Sequence, residues 1–419
     1  MTGAERHHGG ARGDGRHGPD AIVVGAGPGG SIAALLLARH GLDVALLDRA
    51  AFPRPKPCGD CLSAAATDLL DRLGLLDRVR AAGAVGIRRW DIVAPGGAVA
   101  VGRFPGRPAL ALERRLLDPV LLDAARRAGA GFRQATATGL LRDGAGRVMG
   151  VRARTPEGLD LTLRARLVVG ADGLRSVVAR RLGVIRRPPR LRKVSLTAHV
   201  AGLTPMSHGE MHVLAGGCIG LAPAGPRHNV TLVVSGRRLD ALRSLGAPAF
   251  FRRWVDRAPG VAERLGDREP DELLASGPFD WPTLSPVADG AALVGDAAGY
   301  YDPFTGQGIY QAMASAEQLA LAVAPVLAAD ADDHRLDRAL RDYAHARRGI
   351  TSPARRVQRI VEAVVSRPAL ADAVLARLRR STVAMDRLVE VTGDLRPPRA
   401  LLSGEVVSSL MFPPAPEIP

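Results

Sequence analysis

The run Ala21-Ile22-Val23-Val24-Gly25-Ala26-Gly27-Pro28-Gly29-Gly30 constrains this chain more than any other segment. Four small or β-branched apolar residues read as a buried strand, and the glycines that follow mark a tight turn. In Gly25-x-Gly27-x-x-Gly30 the first glycine permits the turn, the second lets the backbone approach a phosphate, and the third lets the next helix pack on the strand. Ser31 to His40 is helical in pattern, Gly41 closes that helix, and Asp43 to Asp48 is a second buried strand. This is a βαβ opening, so a parallel sheet covered by helices is expected. Asp48 ends the second strand about 20 residues beyond the glycines, where a carboxylate accepts ribose hydroxyls. Gly25, Gly27, Gly30, Asp48 and the adjacent Arg49 are therefore expected at a dinucleotide. A glycine turn beside a surface aspartate is the competing reading, and the strand and helix context disfavours it.

The chain has 419 residues, 47% of them hydrophobic and 24% charged, with three cysteines. That length exceeds what one core supports, and the apolar fraction excludes a largely disordered chain. Three cysteines exclude a disulfide scaffold and suit a reducing, cytoplasmic setting. The net charge of +15 is almost all arginine, since lysine occurs only at positions 56 and 193. The arginines are spread along the chain and aromatics are 4%, so nucleic-acid binding is not expected. Attraction to anionic headgroups, and with it a peripheral position at the inner face of a membrane, stays open. No segment approaches the ~18–20 apolar residues of a spanning helix. Met1 to Pro19 carries no apolar stretch and reads as a flexible tail, with His7, His8 and His17 taken as solvated rather than metal-binding. No metal site is expected.

Farther along, Leu62 to Arg80 is helical in pattern, Ile87 to Arg103 reads as a hairpin around Gly96-Gly97, and Leu116 to Ala128 is an amphipathic helix. Phe132 to Leu167 reads as strands joined by turns at Asp143-Gly144 and Pro156-Glu157-Gly158. Val194 to Leu284 is mainly short strands with a helix near Pro248 to Ala258, and Arg335 to Val391 is helical. Two glycine-rich segments follow strands: Gly170-Ala171-Asp172-Gly173, and Gly295-Asp296-Ala297-Ala298-Gly299 continuing to Pro303-Phe304-Thr305-Gly306-Gln307-Gly308.

With the N-terminal glycine motif, these two segments resemble the FAD-dependent superfamily that contains the single-component aromatic hydroxylases (group A flavin monooxygenases) and the geranylgeranyl reductases. The resemblance covers most of the chain to about residue 330. It implies an α/β fold of the glutathione-reductase type: a Rossmann-like FAD-binding domain interleaved with a β-sheet substrate domain and followed by a C-terminal helical region. The boundaries expected are 1–19 for the tail; 20–85, 112–185 and 285–330 for the FAD-binding domain; 86–111 and 186–284 for the β-rich substrate domain; and 331–419 for the C-terminal helices and tail. By the resemblance Asp296, with Gly295, meets the ribityl hydroxyls, and Asp172 and Gly173 contact the flavin and nicotinamide region. Arg114, with Arg115 as fallback, reaches the pyrophosphate or ribityl chain. Pro303 is expected beside the cofactor, and Gly306 and Gly308 let successive backbone N–H groups converge at a helix start, where they stabilise negative charge on a flavin.

Two loops disagree about the chemistry. Lys56-Pro57-Cys58-Gly59-Asp60-Cys61-Leu62-Ser63 resembles the cysteine–glycine loop of prenyl reductases, with Cys61 standing where those enzymes usually have glycine. Gly306-Gln307-Gly308 looks like the hydroxylase branch. Cys58, Gly59, Gly306, Gln307 and Gly308 are the expected catalytic positions. The leading expectation is an NAD(P)H-dependent monooxygenase of a lipophilic phenolic, polyketide or prenylated metabolite, with an external reductase as the other electron source. The second is a prenyl-chain double-bond reductase, for which the sequence names no proton donor. A flavin-binding protein without turnover is a third. A halogenase is disfavoured, because Trp281 stands alone before Pro282 where those enzymes carry Trp-x-Trp. His208 and His212 share one face of an expected strand, as structural rather than catalytic residues.

Overall fold

A computed structural model describes residues 18–190 and 193–411. The expected tail lies almost wholly outside the described residues, as do the three N-terminal histidines.

A six-stranded sheet forms the cofactor half, in the order Val287–Ala288, Ala291–Leu293, Leu167–Gly170, Ala21–Val24, Val44–Asp48, Gly131–Gln134. All neighbours run parallel except the 287–288 edge. Ala21–Val24 is buried at every position because both faces are covered, as expected of a central parallel strand. Ala21 and Val23 pack into a core built with the helices Pro28–Arg39, Arg114–Arg127 and Gly308–Ala328. Ile22 and Val24 face the other way, onto the three-stranded sheet of residues 136–164. The period-two alternation of one four-residue strand thus joins two layers.

The second sheet has seven strands, and its composition explains the interleaving. The hairpin Arg89–Val93 and Val99–Arg103 joins strands between residues 193 and 276 through the parallel pairing of Trp90 with Gly209. Phe250, Trp254 and Val261, on short helices, pack on one face of this sheet. Helices Pro368–Leu378 and Thr382–Thr392 pack on the other, where Ala100 and Val213 meet Leu375 and Met385.

Two expected helical stretches are broken. The segment 62–80 is two helices, Ala64–Arg72 and Leu76–Ala81, because Gly74 adopts a left-handed backbone with φ of 71°. The segment 335–391 falls into three helices, Asp333–Val365, Pro368–Leu378 and Thr382–Thr392. Pro368 starts the second, and the Ser381 side chain caps the third by accepting the Ala384 N–H. Among the described residues no helix is long and apolar enough to cross a membrane.

Candidate cofactor and substrate site

The loops after strands 21–24, 44–48, 167–170 and 291–293 all leave the same end of the parallel sheet, where such sheets form ligand crevices. Gly25 has φ of 105°, and a Cβ there would lie 2.4 Å from the Ala171 carbonyl oxygen; a Cβ on Gly30 would lie 1.7 Å from the Gly25 oxygen. The turn therefore closes only with glycine at both positions. Asp48 fixes it further by accepting the Ala26 N–H at 2.8 Å, and it also accepts the Ala50 N–H at 2.9 Å. Arg49 is exposed beside it.

Gly27 lies under two guanidinium groups. A Cβ on it would sit 3.4 Å from Arg114 Nη2 and 3.8 Å from Arg54 Nη2. Arg114 is buried and held by Asp118 in a bidentate pair of 2.6 and 2.7 Å. Arg54 reaches Asp118 at 3.4 Å and Asp48 at 3.6 Å, yet its Nε is buried without a partner. Paired guanidiniums, an unpaired buried donor and a helix N-terminus capped by Gly27 alone fit a pyrophosphate dianion.

Asp296 sits in a short 3₁₀ turn, Gly295–Ala298, at the end of strand 291–293. Burial pushes its carboxyl up, and Lys56, Arg114 and Arg347 draw it part of the way back. Lys56 faces the same crevice, its amine 3.5 Å from a Cβ position on Gly173. Burial lowers the Lys56 amine, Arg114 and Arg54 lower it further, and Asp296 and Asp118 oppose them. Asp172 has a different engagement: its carboxylate accepts from the Ser176 hydroxyl at 2.5 Å and from the Val177 N–H at 2.6 Å, at the start of helix Val177–Leu182. Its structural partners are thus all within its own loop and helix.

The Cys58–Ser63 loop is anchored through Asp60, which is fully buried with a left-handed φ of 56°. Its carboxylate accepts the Arg114 N–H at 3.2 Å and the Asn229 amide at 2.7 Å, and binds His199 Nε2 at 2.5 Å. Asn229 also donates to the Cys58 carbonyl at 2.7 Å. A strand of the second sheet thereby fixes a loop of the first domain. Cys58 lies near Arg114; its thiol is pushed up by burial and by Asp60. Gly59 and Cys61, rather than Cys58, line the neighbouring cavity. Gly306 faces this loop, a Cβ on it lying 3.9 Å from Cys61 Cβ.

That cavity, ≈ 390 Å³, runs between the seven-stranded sheet and the C-terminal helices. Gly59, Cys61, Ser63, Pro303 and Gly306 line its polar end. Trp90, Met211, Val364, Leu375, Leu388 and Val406 supply much of its apolar wall. Gln307, at the N-terminus of helix Gly308–Ala328, does not line the cavity; its carboxamide donates to Asp394 at 2.5 Å. His208 and His212 both bind Glu210, at 3.2 and 2.9 Å, on the strand face opposite to cavity-lining Met211 and Val213. The shared face was readable from the spacing, and it is the wrong face for catalysis.

Sequence reasoning gave no role to Arg54, Lys56, Asp60, His199, Asn229 and Asp394, although Lys56 and Asp60 lie in the cysteine–glycine segment it singled out. For the first two a signal existed: Pro53-Arg54-Pro55-Lys56-Pro57 places two cations on a proline-stiffened segment directly after the Asp48 strand. His199, Asn229 and Asp394 reach the site only through tertiary contacts.

These features define a flavin-dependent oxidoreductase. The FAD binding domain family matches residues 19–238. The chain is 33% identical over 310 residues to digeranylgeranylglycerophospholipid reductase 2 of Methanopyrus kandleri, covering 70% of this chain and 74% of that protein. It is 28% identical over 327 residues to conditioned medium factor receptor 1 of Dictyostelium discoideum, covering 73% of this chain but only 63% of that protein, so it spans less than two thirds of this relative's length. Among solved structures, the flavin-dependent brominase Bmp2 superposes with a TM-score of 0.76 at 19% identity, over 90% of this chain and 94% of that one. At that identity the likeness is one of fold. The chain belongs to the FAD-binding-domain family of FAD-dependent oxidoreductases.

Proposed function

We propose that this flavoprotein reduces carbon–carbon double bonds of a long, isoprenoid-type lipid chain. The cavity carries this reading: a largely apolar chamber meets the flavin loops at Gly59, Cys61 and Ser63 and at Pro303 to Gly306. Such a space holds a linear hydrocarbon by burial alone, with about 25 cal/mol gained per Å² of apolar surface removed from water. The relationship to a digeranylgeranylglycerophospholipid reductase supports the same substrate class. FAD would be held by the 25–30 turn, Arg54, Arg114 and Asp296, and when bound it supplies the hydride. The protein's own work is to lodge the chain, exclude water and keep the Cys58–Ser63 loop in place. Reducing equivalents would come from NAD(P)H or from an external reductase.

The surroundings of the cavity support delivery of substrate from a lipid surface. Ile360, in its wall, is 65% exposed, and Leu402 and Met411 on the adjoining C-terminal segments are 79% and 59% exposed. Arg356, Arg359 and Arg399 are exposed on the same segments, a charge suited to anionic headgroups.

The test is incubation of reduced holoprotein with geranylgeranyl lipids and mass spectrometry of the products. A gain of two mass units per double bond is expected. A second reading, hydroxylation of a lipophilic phenolic, polyketide or prenylated metabolite, is supported by Gly306-Gln307-Gly308, and it predicts a gain of one oxygen instead.

A further inference from the structure

Reduction of an isolated double bond needs a proton as well as a hydride, and an apolar cavity has few groups able to give one. Ser63 is one of the few hydroxyls on the wall, and it sits at the flavin end. Behind it lies Asp394, whose Oδ2 is 3.4 Å from Ser63 Oγ and whose Oδ1 accepts the Gln307 amide N–H at 2.5 Å. The Gln307 carbonyl in turn accepts the Thr305 hydroxyl at 2.8 Å, and Thr305 Oγ1 accepts the Gln358 amide at 3.2 Å.

The Gln307 bond assigns one of the carboxyl's two oxygens. An amide N–H can only donate, so Oδ1 is an acceptor. Oδ2 accepts the Ser63 hydroxyl when the carboxyl is ionised, and with a proton on Oδ2 that bond reverses, Oδ2 donating to Ser63 Oγ. That frees the Ser63 O–H to point into the cavity. Ser63 Oγ also receives the Ala66 N–H at 3.4 Å as the cap of helix Ala64–Arg72, which fixes its position.

We propose that Asp394 and Ser63 form a proton relay that supplies the proton of the double-bond reduction, with Gln307 as its positioning residue. This rests on the reductase reading. One alkene carbon takes the hydride, with both electrons, from the reduced cofactor, which is left oxidised. The other carbon takes the Ser63 proton. Ser63 recovers a proton from Asp394 Oδ2, and Asp394 recovers one from solvent.

The setting keeps Asp394 protonated. Burial pushes its carboxyl up to about 8, against the hydrogen bonds from Gln307 and Ser63. Its direct partners are neutral, and the nearby Tyr310 hydroxyl is raised by burial and by an ionised Asp394, with Glu317 and Asp68 adding to this and Arg72 opposing. Asp394 also holds a left-handed φ of 61°, a conformation that Asn tolerates as well as Asp. Asp394→Asn is therefore close in shape to the protonated acid and retains an acceptor for Gln307, but it carries no transferable proton.

Asp394→Asn and Ser63→Ala should lower kcat on geranylgeranyl substrate at pH 7 by a factor on the order of 100 or more, with KM little changed. The alkaline fall of the wild-type rate near pH 8 should vanish in Asp394→Asn, and Asp394→Glu should restore part of it. Independently of turnover, infrared difference spectra of the apoprotein should show a carboxylic-acid C=O band at pH 7 that is lost on raising the pH and absent from Asp394→Asn. Wild-type protein that reduces no isoprenoid double bond would overturn the functional reading. Active wild type alongside an Asp394→Asn variant with unchanged kcat and pH profile would overturn the relay alone.

Discussion

Arg114 and Asp118, one helical turn apart, form a fully buried bidentate ion pair directly beside the glycine turn. Asp118 anchors Arg114 where its outer nitrogen overhangs Gly27, so a carboxylate that need not touch the cofactor sets the geometry of a cation that would. Removing one partner of such a pair leaves a buried charge uncompensated.

Asp118→Ala is therefore expected to lower stability by about 3–5 kcal/mol and to weaken FAD binding in the same variant. Urea denaturation and flavin fluorescence read the two effects. Tight FAD binding at unchanged stability would mean that Arg114 is held by something else.

Asp296→Ala should purify with depleted FAD, since it removes a carboxylate at the end of strand 291–293 facing Lys56 and Arg114. The visible flavin absorbance per protein measures this. Full occupancy would take Asp296 out of the cofactor site.

Glu210 sets an acid limit. Burial opposes its ionisation, but the His212 hydrogen bond and the Arg264 guanidinium outweigh it and hold the carboxyl down at about 2. The folded value lies below the unfolded one, so its contribution is present above about pH 4.5 and is lost as pH falls toward 2. Melting temperatures over that window should drop less for Glu210→Gln than for wild type.

The thiols should be inert. Burial pushes Cys61 and Cys218 up to about 12 and raises Cys58 as well. Alkylation of the native holoprotein at pH 8 should be far slower than after denaturation, and a fast-reacting thiol would show that its surroundings do not hold it protonated.

Val364→Trp, on the cavity wall, should leave FAD content unchanged while raising KM for long chains more than for short ones. Equal effects on both would argue that the chain does not occupy this chamber.

The flavin half was legible in the sequence because its signals are local. A four-residue apolar strand, a glycine spacing and an aspartate at the next strand end suffice to place the turn at Gly25–Gly30. The broken helices were missed where Gly74 and Pro368 outweighed an apolar periodicity that continues across them. The polar end of the cavity was out of reach for another reason. Ser63 and Asp394 are 331 positions apart, and His199 lies 139 from Asp60, so nothing in either neighbourhood announces the partner. Gln307 was singled out as part of a loop pattern, yet what its side chain holds became visible only with the fold.

The chamber has two walls of different provenance in the chain. The glycine turn, the Cys58–Ser63 loop and much of the sheet fall within the segment matched by the FAD binding domain family, residues 19–238, whereas the Asp296 and Gly306 loops lie beyond it and the opposite wall comes from residues 360–410. Selection acting on that late segment can lengthen, narrow or reshape the chamber without disturbing a single contact of the glycine turn. Substrate preference in such a scaffold can change through the late segment, Asp394 apart, while the glycine turn stands still.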